Sequence, residues 1–208
     1  MSSPWTADRI FDELMAPLAN LGIPLILAHP GDKGPRVDGW QNKATTDPVN
    51  LRKMAGVVAS DGHSIFAVTR ACGRTDPSPI LVVDVDAKNG RDGWADLADL
   101  QVQHGKLPLT PTRLTPSGGG HLYFRCPPDT RVSGRGRLPK SLDVTGGVCL
   151  FRDGEPYPWA EGMAPGDFAL ADPPDWLLDL LANAQHGGVP SDSGSGKPRS
   201  FESALMLV

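Results

Sequence analysis

The chain has 208 residues, enough for one domain or one domain with a tail, and a domain of that size buries roughly 70% of its unfolded surface without needing disulfides. Hydrophobic residues make up 39% and charged residues 21%, which sets the chain apart from disordered sequences, and the net charge of −4 argues against a non-specific nucleic-acid coat. Cys72, Cys126 and Cys149 fit neither zinc spacing nor a disulfide framework, the N-terminus lacks a signal pattern, and the longest apolar stretch (about Ile23 to Ala28) is too short to span a bilayer, so the expectation is a soluble cytoplasmic protein with reduced thiols and no membrane partner.

Thr6 is placed to cap a helix from about Ala7 to Asn20, with Ile10, Phe11, Leu14, Leu18 and Leu21 as its apolar stripe and Gly22 ending it. Ile23 to Ala28 reads as a strand, with Pro24 suited to a strand start or an edge. His29 to Gly39 is a Gly/Pro loop, which Trp40 packs onto the body. Thr46 or Asp47 begins a short helix through Met54, and Ser64 to Thr69 is a second strand. Ile80 to Val83 is a branched apolar run typical of a strand covered on both faces, and it runs into Asp84-Val85-Asp86. Alternation puts Asp84 and Asp86 on one face. Two like charges there imply either a divalent cation between them or a strand-end pair facing water. Asn89-Gly90 then turns the chain into a helix from about Arg91 to His104, whose buried side is Trp94, Leu97, Ala98 and Val102.

Thr110 to Thr115 reads as a strand with Arg113 and Thr115 on one face, and Pro116 to Gly120 as a tight turn. His121 to Arg125 alternates His121, Tyr123 and Arg125 against Leu122 and Phe124. Thr130 to Lys140 is a Gly- and Arg-rich loop with the flexibility to follow a phosphate backbone. Ser141 to Val144 is a short strand carrying Asp143, Val148 to Phe151 another, and Pro173 to Asn183 a final helix. From Gly187 to Ser200 the composition is that of a linker, so residues 1–185 form the domain and 186–208 a tail.

Charge is uneven along the chain. Arg125, Arg131, Arg135, Arg137, Lys140 and Arg152 face only Asp129 and Asp143, whereas every charge from Asp153 to Asp179 is acidic. A basic loop beside an acidic site suits a phosphate-rich ligand, against the commoner alternative of a solvated loop. Three elements carry groups that phosphoryl transfer needs. Asp84, Asp86 and Asp143 are carboxylates of the kind that hold two metals roughly 4 Å apart. The turn Ser117-Gly118-Gly119-Gly120-His121 brings backbone N–H groups, a hydroxyl and an imidazole toward phosphate oxygens.

These pieces, in this order and spacing, resemble the bifunctional primase-polymerase domain of the archaeo-eukaryotic primase superfamily, of the phage, prophage and plasmid type. The resemblance runs from about Leu18 to Leu181. It rests on Lys33-Gly34-Pro35 with Gly39-Trp40, on Asp84-Val85-Asp86, on Thr115 to Phe124, on Leu142-Asp143-Val144 and on Pro173 to Leu177. It implies an α/β (α+β) fold, an archaeo-eukaryotic primase-like core built of an N-terminal α/β module and an RNA-recognition-motif-like mixed sheet. It further implies that Asp84, Asp86 and Asp143 are catalytic and bind two Mg²⁺ or Mn²⁺ ions, and that Ser117 and His121, with Gly118 and Gly119, bind the nucleotide phosphates. Arg113 is expected in the same pocket, or otherwise on the surface. Arg131, Arg135, Arg137 and Lys140 are expected to grip a DNA template or primer. Nucleoside triphosphates are the expected substrates and a helicase a possible partner.

Two departures stand out. An arginine common after the third aspartate is replaced by Thr145, and the following segment to Phe151 is short. The alternative to an enzyme is a non-catalytic nucleotide- or DNA-binding replication-initiation module. A sugar-nucleotide transferase, which also uses Asp-x-Asp, is disfavoured by the Ser-Gly-Gly-Gly-His turn and the third aspartate.

Overall fold

The computed structural model describes residues 5–32, 34–72, 78–127, 130, 132 and 134–182. The chain divides into two compact units, one from Met1–Ile80 with Gly146–Pro158, the other from Leu81–Thr145 with Trp159 onward. The expected α+β class is the observed one, with several helices and two four-stranded sheets. Arg131 and the 186–208 tail lie outside the described residues.

In the first unit the N-terminal helix comes in three pieces, α1 (Ala7–Arg9), a wide π-helical stretch Ile10–Met15, and α2 (Ala16–Asn20). Thr6 caps it by accepting from the Arg9 N–H. Pro17 lies in α2, where it has no N–H to give and its ring crowds the preceding turn, so the widened turns before it give the ring room. Ile10, Phe11, Leu14, Met15 and Leu18 are buried. Leu21, expected in that stripe, is 40% exposed because the helix has already ended. After β1 (Leu25–Ala28) and the short α3 (Trp40–Lys43), α4 (Pro48–Asp61) runs a full 14 residues rather than stopping at Met54. Asp47 caps it through the Val49 and Asn50 N–H groups, and the buried Leu51, Ala55 and Val58 carry it past Gly56. Packing outweighs propensity there.

The first sheet runs β1, β2 (Ser64–Val68), β7 (Gly147–Arg152), β8 (Glu155–Pro156). All three pairings are antiparallel. Trp40 packs its ring edge against Gly147 of β7.

The second sheet runs β4 (Thr112–Leu114), β5 (Gly120–Arg125), β3 (Ile80–Val85), β6 (Leu142–Asp143). β3 leads into α5 (Gly93–His104) and then β4, yet β5 sits between β3 and β4, the split β-α-β arrangement expected of an RNA-recognition-like sheet. The β4–β5 and β3–β6 pairs are antiparallel. Leu81, Val82, Val83 and Val85 are buried, each stabilising by roughly 1.5–3 kcal/mol. α5 starts on Asp92, which accepts from the Ala95 N–H, and buries Trp94, Leu97, Ala98 and Leu100. Val102, expected on the buried side, is 79% exposed. The stripe swings toward Leu97 and Leu100, and Gln101 takes the inner position, accepting from the Leu107 N–H at 2.9 Å.

The loop before β6 is anchored where free flexibility was expected. The Arg137 N–H donates to the Leu180 carbonyl at 2.8 Å, its guanidinium donates to the Asp179 carbonyl at 3.2 Å, and Leu138 is buried. These tie residues 134–140 to the end of α6 (Asp175–Ala182). Gly136 has φ +59, and a Cβ there would lie 2.4 Å from the Leu180 oxygen and 2.7 Å from the Leu181 Cα. Gly136→Ala therefore meets both a backbone clash and a left-handed φ, and should cost on the order of 2 kcal/mol or more in urea unfolding. Stability unchanged within ~0.5 kcal/mol would mean that the loop does not need this seat.

Candidate active site

Every strand of the second sheet places one polar side chain in a single row. Arg113 on β4 is the register partner of His121 on β5. Asp84 on β3 is the register partner of Asp143 on β6. His121 Nε2 and Asp84 Oδ1 are 3.7 Å apart, which joins the two pairs across the middle of the sheet. Directly opposed residues in an antiparallel pair project from the same face. The order is therefore Arg113, His121, Asp84, Asp143.

The row is unevenly solvated. Arg113 is buried at 1% exposure, and its guanidinium lies 4.0 Å from the centre of the Trp159 ring, so it is not a surface arginine. Trp159 bridges to Arg113 through the backbone and contacts the Tyr123 ring at 5.4 Å, forming a lid over this end of the sheet. Burial, with help from Arg113 and Lys88, pushes His121 down to about 4, so the imidazole is neutral at physiological pH. Burial pushes Asp84 up to about 6, and the nearby Asp86 and Asp143 push the same way against Lys88. Asp143 accepts from the Val144 N–H at 2.7 Å.

Asp86 departs from expectation. β3 ends at Val85, so Asp86 begins the following loop instead of continuing the alternation. Its backbone N–H donates to Ser141 and its carbonyl accepts from Gly93. Its side chain is held by Lys88 Nζ at 2.9 Å and Arg91 Nη1 at 2.5 Å. Partial burial raises its pKa, but the bonds from Lys88 and Arg91 outweigh that and hold it below the ordinary carboxylate value. Two side-chain cations thus stand beside these carboxylates. Lys88, Arg91 and the Asn89-Gly90 turn were all visible in the sequence, and what it did not show was that this turn, with Asn89 at φ 55 and Gly90 at φ 75, leaves both cations on Asp86.

The glycine turn is also built differently from a plain phosphate cradle. Gly119 is pressed onto the end of β3, where a Cβ would fall 2.0 Å from the Val85 oxygen. Gly120 faces the Trp94 ring. Gly118 has φ +84 and open space beside it, but its N–H already donates to Thr115 and its carbonyl accepts from the Trp94 indole at 2.8 Å. Ser117 Oγ lies 3.1 Å from Thr115 Oγ1 on the exposed side of the turn. Trp94, read from sequence only as core, thus ties α5 to this turn.

Among the described residues no three metal-binding side chains converge. The donor chemistry nonetheless suits Mg²⁺ or Mn²⁺. Asp84 and Asp143 are hard oxygen donors at opposed positions, and such ions commonly take one or two carboxylates and complete their shell with water and substrate phosphate. A family model described as bifunctional DNA primase/polymerase, N-terminal, matches residues 16–176. No curated protein matches the chain. No described helix is long and apolar enough to cross a membrane.

The raised Asp84 pKa has a definite sign. Below the unfolded value of 3.8 its carboxyl is protonated in both states and costs nothing; between there and about 6 the unfolded chain ionises first, and the folded state loses stability as pH rises. With its side chain 27% exposed and so partly screened, the loss by pH 7.5 is about 2 kcal/mol. In chelator, Asp84→Asn should raise the melting temperature at pH 7.5 and leave it unchanged at pH 4. A gain of equal size at both pH values would show that charge is not the cause.

Proposed function

Because the chain belongs to the bifunctional DNA primase/polymerase N-terminal family, we propose that its second unit performs DNA-templated nucleotidyl transfer, as primase, polymerase or both, in phage- or plasmid-type replication. The observation that supports this reading is the row of Arg113, His121, Asp84 and Asp143, one side chain from each of four adjacent strands.

Asp84 and Asp143, with Asp86 as third ligand, would hold Mg²⁺ or Mn²⁺. When bound, the ions supply the charge that lowers the pKa of the attacking 3′-hydroxyl and stabilises the leaving pyrophosphate. The remaining roles belong to the chain. A neutral His121 donates one N–H to a phosphate oxygen without competing for the aspartates as a cation would. Ser117 adds a hydroxyl from the turn, and Gly118 leaves that side open for the phosphates. Gly119 acts by packing, because it lets the turn close on β3. Arg113 sets a positive potential at the His121 end of the row from beneath Trp159. Arg135 and Lys140, both exposed, are the proposed contacts for template or primer phosphates. Arg137 shares that loop but spends one donor on α6. The catalytic domain is taken to end near residue 185.

A second reading, a binding module without catalysis, draws on one observation: Asp86 is engaged by two cations. Templated incorporation of labelled nucleotide with Mg²⁺ or Mn²⁺ separates the two. We expect incorporation by the unaltered chain and a loss of roughly a hundredfold or more in Asp143→Ala. DNA binding without incorporation would favour the module. Replacing Arg135 and Lys140 by Ala should flatten the salt dependence of DNA binding by about one to two log–log units, uniformly across template sequences. An unchanged slope would remove the loop from the DNA interface.

A further inference from the structure

The loop between β3 and α5 is pinned at both ends and folded back on itself. At its start the Asp86 N–H donates to the Ser141 carbonyl at 2.8 Å, and at its end the Gly93 N–H donates to the Asp86 carbonyl at 2.9 Å. The tip closes through the Arg91 N–H on the Lys88 carbonyl at 3.1 Å. Lys88 and Arg91 are therefore held close to the site whatever their side chains do.

Those side chains divide the Asp86 carboxylate between them, Lys88 on Oδ1 and Arg91 on Oδ2. The exposures are asymmetric. Lys88 and Arg91 are 55% and 46% exposed, and Asp86 is 18% exposed. The cations can rehydrate at little cost when they let go, but the carboxylate needs a replacement cation. Lys88 also acts electrostatically on both Asp84 and His121.

We propose that Lys88 and Arg91 form a displaceable counter-ion pair that leaves Asp86 when a divalent cation arrives and then binds the triphosphate of the incoming nucleoside triphosphate. This rests on the reading of the aspartates as the metal site. No bond is made or broken; one set of ion pairs replaces another. The metal supplies the charge that releases Lys88 and Arg91, and the triphosphate brings anionic oxygens to meet them. The loop thereby couples the two ligands, and each favours the other. Without metal the pair shields the aspartates and lowers the affinity of the site for stray cations.

The test uses the full chain, Mn²⁺ alone, and a non-hydrolysable nucleoside triphosphate analogue, read by electron paramagnetic resonance and calorimetry. In the variant combining Lys88→Gln and Arg91→Gln, Mn²⁺ alone should bind more tightly, because its internal competitor is gone. Analogue affinity in Mn²⁺ should fall roughly tenfold or more, the scale of losing charge-assisted contacts. Lys88→Arg, which keeps the charge, should behave as the unaltered chain in both measurements. Both positions are exposed, and circular dichroism confirms that the variants are folded. Unchanged or weaker Mn²⁺ binding in the double variant, or unchanged analogue affinity, overturns this inference while leaving the metal site in place. If instead the unaltered chain binds no Mn²⁺ that Asp84→Asn removes, the reading of the site itself falls, and this inference with it.

Discussion

Asp84 faces Asp143 directly across an antiparallel pair, and the rest of the second unit is arranged around that opposition. Like charges in register destabilise a sheet, and a chain selected only to fold would put an apolar or opposite-charge pair there. The cost is met locally. Leu81, Val82, Val83 and Val85 bury both faces of β3, and Leu142 sits beside Asp143 with no exposed surface. Trp94 clamps the adjacent turn, and Ser141 joins the loop after β3 to α5 through its carbonyl and its hydroxyl, which donates to Asp96. Rigid neighbours keep the carboxylates together where mutual repulsion would part them.

The other end of the row solves the reverse problem. Arg113 is a cation with almost no contact with water. The π face of Trp159 attracts its charge, and Asp84 and Asp143 lie two and three strands away on the same face. Positive and negative charge are thus separated across the width of the sheet with a neutral His121 between them. A polyanion at His121 would find donors on one side and carboxylates on the other.

What could be read from the sequence is what depends on periodicity. Ile80 to Val83 announced a covered strand, and Asp84 its polar end, because alternation needs no tertiary information. Asp143 was recognisable from its place in a short strand after the Gly- and Arg-rich loop. The register that sets it opposite Asp84 was not, because pairing partners are chosen by the whole sheet. Asp86 was assigned to the face of Asp84 by extending the alternation one residue past the strand. Lys88 and Arg91 stood in plain sight, but whether a cation two or five residues on reaches back depends on the φ values of Asn89 and Gly90. Arg113 illustrates the same limit: its strand position left it between the pocket and the surface, because Trp159, the residue that covers it, is far away in sequence. The glycines after Ser117 were read as openness, whereas two of the three are there because a strand end and an indole leave no room for a Cβ.

The order in which the chain builds its two units has a consequence for biosynthesis. β2 and β7 pair from Val68↔Gly147 to Ile65↔Phe151, yet the intervening segment contributes the whole second sheet. The first unit therefore cannot complete its sheet until Pro156 has left the ribosome, although its helices and β1–β2 pair are synthesised early. Closing so long a loop is entropically slow unless its interior has already folded and drawn the ends together. A chain terminated before β7 therefore leaves the free edge of β2 exposed to intermolecular pairing.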